Sequence, residues 1–142
     1  MTKDLPKMLD KLIMDRLITD SKVPVEELAA AYGVSPGTIR NRIAQLSESN
    51  VIIGYKARAR LSRLGMSEVI VGLDIEPESY VKAMNSIKGL QFVKELYRSS
   101  GDHSAIAVIA SDSESIDSEI GKMMSIEGVR KVYPSYIQEV VK

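Results

Sequence analysis

Gly33, Val34, Ser35 and Pro36 separate two helical patterns and leave the chain little freedom between them. Before them, residues 25–32 (VEELAAAY) put Leu28, Ala29 and Tyr32 on one side of a short helix. Gly33 supplies the left-handed residue that closes a helix. Ser35 and Pro36 are an N-cap and a first-turn proline for the next one. The spacing predicts that next helix over residues 36–49, with Ile39, Ile43 and Leu46 inward at i, i+4 and i+7. Two helices joined by so short a turn must cross. Small Ala29 and Ala30 let them cross closely, and Val34 plugs the angle between them.

A first helix is expected over residues 5–19, with Leu5, Met8, Leu9, Leu12, Ile13, Leu17 and Ile18 at helical spacing. Asp4 is its expected N-cap, with Pro6 close inside. After the third helix, residues 51–59 (VIIGYKARA) read as an extended wing strand that ends in alternating arginines. Three helices and a wing make the winged helix-turn-helix pattern, whose third helix fits a DNA major groove about 12 Å wide. The outer face of that helix carries Gly37, Thr38, Asn41 and Gln45, and no acid before Glu48. Thr38, Asn41 and Gln45 are candidates for reading bases, since Asn and Gln pair with adenine edges. Ser35, Arg40, Arg42, Lys56, Arg58 and Arg60 are candidates for holding phosphate, and Gly37 lets a phosphate approach the helix N-terminus. Arg42 lies close to the buried stripe, so bracing the turn is its other reading. The plainer alternative for the whole segment is a three-helix bundle with solvated charges.

The charge distribution agrees with a polyanion partner. Met1 to Leu64 holds 11 Lys+Arg against 7 Asp+Glu; Gly65 to Lys142 holds 8 against 12. A basic half joined to an acidic half suggests that only the first faces a polyanion. With no cysteine there is no disulfide scaffold and no Cys-ligated metal. No apolar run reaches the ~20 residues that span a bilayer, and the first residues are too charged for a secretory signal. The expected location is therefore cytoplasmic, with no membrane partner.

Residues 61–66 (LSRLGM) read as a linker between residues 1–60 and a second domain at 67–142. In that domain, residues 69–75 alternate as a strand. A helix follows with Tyr80, Val81, Met84 and Ile87 inward. Residues 91–100 and 103–110 read as paired strands around a Gly101-Asp102 turn. The second helix places Ile116, Ile120, Met123 and Met124 on one face, capped by Asp112 or Ser115, and a last strand contains Pro134. Pro134 suggests an edge, a bulge or a pairing break. The order βαββαβ is the ferredoxin-like arrangement, a four-stranded antiparallel sheet with two helices on one face. Val71, Leu73 and Val108 are expected on the other, uncovered face, which calls for a second copy. The fold class is thus α+β.

This combination resembles the Lrp/AsnC (feast/famine) family of transcriptional regulators. The resemblance is carried by the helix-turn-helix skeleton at 28–55 (LA…GVS…TIRNRI…L…VIIGY), the Leu64-Gly65 pair, the Gly101-Asp102 turn and MSIEGVRKV at 124–132. It implies an ACT-like second domain, dimers formed through the sheets, further assembly into octamers or related arrays, and regulation of the protein's own promoter. It also implies a small effector, usually an amino acid, near Ser100, Gly101, Asp102, His103 and Ser104. Gly101 amides would receive its carboxylate and Asp102 its ammonium. Family members commonly follow the Gly-Asp pair with an aromatic and then an acidic residue; His103 and Ser104 stand here instead. A plain hairpin turn is the competing reading of Gly101-Asp102.

The function expected is a sequence-specific, double-stranded-DNA-binding transcriptional regulator that responds to a small effector. The alternative is a small-molecule sensor that regulates a metabolic enzyme through protein contacts. Neither a nucleophile motif, a phosphate-cradling Gly-rich loop nor a metal-ligand spacing is present, so the chain is not expected to be an enzyme or to need a cofactor. A metal site would require Asp112, Glu114 and Asp117 to converge.

Overall fold

A computed structural model describes residues 5–142 of the chain; the expected cap Asp4 lies outside them. The chain divides into two compact units, one ending at Arg58 and the other running from Ala59 to Lys142.

The first unit contains α1 (Leu5–Thr19), α2 (Val25–Tyr32) and α3 (Pro36–Glu48). Its core is Ile13, Val23, Leu28, Ala29, Ile39, Leu46 and Ile52, with Leu9, Met14, Leu17, Val34 and Ile43 packed against it. The buried stripe of α1 is narrower than its apolar pattern: Met8, Leu12 and Ile18 face outward, Ile18 with 73% of its surface exposed. Ala30 is also exposed, so Ala29 alone supplies the small buried residue of α2. Gly33 closes α2 at φ 68°, and Val34 N–H returns to the Ala29 carbonyl at 3.1 Å. That left-handed turn is the conformation glycine adopts at least cost.

The wing departs from expectation. Residues 51–60 form no strand ladder. Val51 and Ile52 amides both donate to the Leu46 carbonyl, at 2.9 and 3.0 Å, and Ile52 is buried in the core. Beyond it Ile53 is 90% exposed. The residues have β propensity, but propensity makes a strand only where another strand supplies hydrogen bonds, and the described residues of this unit form helices alone.

The second unit opens with a single 3₁₀ turn (Leu61–Leu64) closed by left-handed Gly65. It continues as β1 (Met66–Ile75), a 3₁₀ turn (Pro77–Ser79), α4 (Tyr80–Lys88), β2 (Val93–Arg98), β3 (Ala105–Asp112), α5 (Ile116–Met124) and β4 (Val129–Tyr136). The strand order is β2-β3-β1-β4, with every neighbouring pair antiparallel. β1 starts three residues earlier than its alternation suggested, inside the stretch read as a linker. Pro134 sits on an edge strand, as expected, opposite Val71.

Of the three residues expected on the uncovered face, Val108 lies there and Val71 and Leu73 do not. Val69, Val71, Leu73 and Ile75 all point into the core with Ala83, Ile87, Ile109, Ile116, Ile120 and Met123. Val71 and Leu73 therefore lie under the helices. The open face carries Ile70, Gly72, Ile106, Val108, Tyr97 and Tyr133. Val81 and Met124 are also corrected: both are outward, 73% and 60% exposed, whereas Met123 is buried as expected and Ala83 is inward on α4. The cap of α5 is Ser115 by position, and its side chain makes no capping bond. Asp112 ends β3 and accepts the Ser115 amide through its carbonyl at 2.9 Å.

Candidate nucleic-acid interface and effector loop

Ser35 performs the role its position suggests. Its Oγ accepts the Thr38 amide at 3.1 Å and shares a 2.9 Å hydrogen bond with the Thr38 hydroxyl. Thr38 is half-buried, so both residues are part of the cap that starts α3. Gly37 is exposed beside them, and Asn41 and Gln45, one turn apart, are exposed on the same helix. Their side chains are amides with both a donor and an acceptor, which is what a base edge requires.

The two arginines of α3 differ. Arg40 is exposed, with one guanidinium nitrogen 3.0 Å from Glu26 on α2. Arg42 reaches back to α1 and makes a two-pronged bond with Asp10, Nε to Oδ1 at 2.8 Å and Nη2 to Oδ2 at 2.7 Å. Both partners are only partly exposed. The Arg42 guanidinium is raised above its ordinary range, first by that hydrogen bond, against a smaller opposing effect of burial. Of its two sequence readings, bracing is the one this geometry serves. Lys56 and Arg58 stand exposed on the irregular segment of the same unit, whereas Arg60 precedes the 3₁₀ turn of the second unit. Glu26, Asp10 and Lys22, which lines a cationic depression with Lys56 and Arg58, were not identified from the sequence. They are distant in the chain from the residues they join, and only the fold brings them there.

The five loop candidates of the second unit separate into two groups. Ser100, Gly101 (φ 107°) and Asp102 are exposed at the tip. Ser104 is built into the sheet. Its hydroxyl donates to the Leu73 carbonyl and accepts the Ile75 amide, both at 3.1 Å, and its carbonyl accepts the Tyr80 hydroxyl at 2.7 Å. The Arg98 guanidinium lies over the Tyr80 ring, 5.3 Å from its centre. His103 turns onto the open face of the sheet. Its ring lies against Tyr133, with centroids 4.7 Å apart, and its Nδ1 is 3.3 Å from Asp74 Oδ1. Ser99 ties the base of the loop by donating through Oγ to the His103 carbonyl at 2.8 Å.

Residues 8–47, the helices just described, match the AsnC-type helix-turn-helix domain. The chain is 41% identical over 139 residues to the HTH-type transcriptional regulator LrpA of Pyrococcus abyssi, covering 94% of this chain and 96% of that one. It belongs to the Lrp/AsnC family. LrpA1 of Halobacterium salinarum is 35% identical, with 94% and 96% of the two chains covered. The crystal structure of PH0061 superposes with a TM-score of 0.80 at 23% identity, over 94% of this chain and 93% of that one, and shares the fold. This Lrp/AsnC protein is accordingly a DNA-binding transcriptional regulator with an α+β fold, in a family of regulators and not of enzymes. Among the described residues, no helix is long and apolar enough to cross a membrane, and no cluster of three or more His, Asp or Glu side chains could hold a metal.

Proposed function

We propose that the regulator reads duplex DNA sequence by seating α3 in the major groove. Asn41 and Gln45 contact base edges, and Arg40, Lys56, Arg58 and Arg60 contact phosphates. Ser35, Gly37 and Thr38 present the start of the helix to the backbone. The observation that carries this reading is the pairing of a capped helix start with two exposed amide side chains one turn apart on α3. Copies of the chain assemble in pairs through the open face of the sheet and then into larger arrays. The exposed loop tip, Ser100 to Asp102, receives a small zwitterion such as an amino acid, which shifts the assembly or its DNA affinity.

The test is binding of the purified protein to the DNA upstream of its own coding region and to random duplex, as a function of salt. Preferential binding, with log affinity falling steeply against log salt, supports the reading. No binding to either duplex at low salt favours the alternative of regulation through protein contacts.

A further inference from the structure

A depression of about 370 Å³ opens between the C-terminal end of α1, the turn that follows it and residues 56–58. Its wall carries three cations, Lys22, Lys56 and Arg58, together with Thr19 and Ser21; the Thr19 hydroxyl donates back to the Asp15 carbonyl at 3.0 Å. One acid, Asp20, also lines it, and that carboxylate accepts the backbone amide of Lys22 at 2.9 Å. The Asp20 carbonyl accepts the amide of Val23 at 3.3 Å, and the Val23 side chain is buried in the core. The turn thus fixes the backbone of Lys22 beside the same depression that Lys56 and Arg58 line. Three cations lining one depression with a single carboxylate, itself engaged by a backbone amide, select an anion, and the Ser21 hydroxyl suits an acceptor oxygen of a phosphate.

We propose that this depression holds a backbone phosphate of the bound duplex, outside the stretch read by α3. The site adds Lys22 and Ser21 to the DNA surface, neither of them on α3 or among its basic neighbours. It rests on the reading of the first unit as the one that docks on DNA.

The experiment compares the unaltered protein with Lys22→Gln, Lys22→Arg and Lys88→Gln, each titrated with own-promoter and random duplex across a range of salt. Lys88 is an exposed lysine of α4 and controls for net charge. Lys22→Gln is expected to weaken both duplexes alike, roughly fivefold at moderate salt, and to flatten the log–log salt slope by about 1. Lys22→Arg keeps the charge and restores both. Lys22→Gln behaving like the unaltered protein, or no worse than Lys88→Gln, overturns the site while leaving α3 as the reading helix. Absence of DNA binding by the unaltered protein overturns both together.

Discussion

The imidazole of His103 occupies the space that a side chain at Gly72 would need. A Cβ built on Gly72 overlaps three atoms of the ring. Glycine is required there for close approach, since its backbone is not in a left-handed region. Gly72→Ala should drive the ring away from Tyr133 and Asp74 and cost about 1–3 kcal/mol of stability, as overpacking does. In Gly72→Ala/His103→Ala the clash is gone, so the double variant should be more stable than the two separate losses predict. Denaturant unfolding of the four proteins measures the coupling; additive losses would show that the ring is not lodged over Gly72.

Arg42 and Asp10 make a second prediction, because bracing and phosphate contact divide the effects differently. If Arg42 holds α3 to α1, both Arg42→Gln and Asp10→Asn reduce stability by about 1 kcal/mol each, for a pair only partly withdrawn from solvent, and lower the melting temperature by a few degrees. DNA affinity measured well below the melting range then changes little in either variant. A phosphate contact would leave stability intact in Arg42→Gln and flatten the salt slope, with Asp10→Asn having no such effect.

On the exposed side of α3, Asn41 and Glu26 should act in opposite ways. Asn41→Ala removes a bidentate reader, so specific binding weakens by about 1–3 kcal/mol and random binding hardly changes. Glu26→Gln releases Arg40 and removes a negative charge beside it, so affinity for every duplex rises and the salt slope steepens by about 1. A competition titration of both variants against the two duplexes separates the outcomes.

The Tyr136 hydroxyl donates to Asp117 Oδ1 at 2.6 Å, and this bond, with smaller help from burial, raises the phenol above its ordinary range. A raised acid is stabilised in its protonated form. The bond therefore contributes in full below the usual phenol value of about 10 and is lost as pH rises through the raised value. The stability difference between the unaltered protein and Tyr136→Phe should stay constant to about pH 9 and shrink above it. Denaturant midpoints across that range test the sign; a difference that grows with pH contradicts it.

What was legible in the sequence was local. Gly33, Ser35 and Pro36 mark helix ends by their own backbone preferences, and α1 and α2 fall where the pattern put them. The parity of β1 was not legible. Ile70 is apolar like Val69 and Val71, so alternation alone could not say which set meets the helices. Gly72 and Asp74, the two non-conforming residues on the side of Ile70, mark the open face only once His103 is known to lie over them. The wing failed for a related reason: a strand is a property of a pair, and a single run of Val, Ile and Tyr does not show whether its partner exists. The pairs that define the site span 14 residues for Arg40–Glu26, 32 for Arg42–Asp10 and 29 for His103–Asp74. No periodicity reports contacts at such separations.

The unladdered stretch after Ile52 carries Lys56, Arg58 and Arg60 at alternate positions, all exposed. The backbone there is held by no sheet, and the side chains are those a trypsin-like protease selects. Cleavage there leaves the buried residues of the two cores on separate fragments, since no residue belongs to both. The same stretch is a natural seam: brief digestion should release the sheet unit with its hydrophobic interior whole.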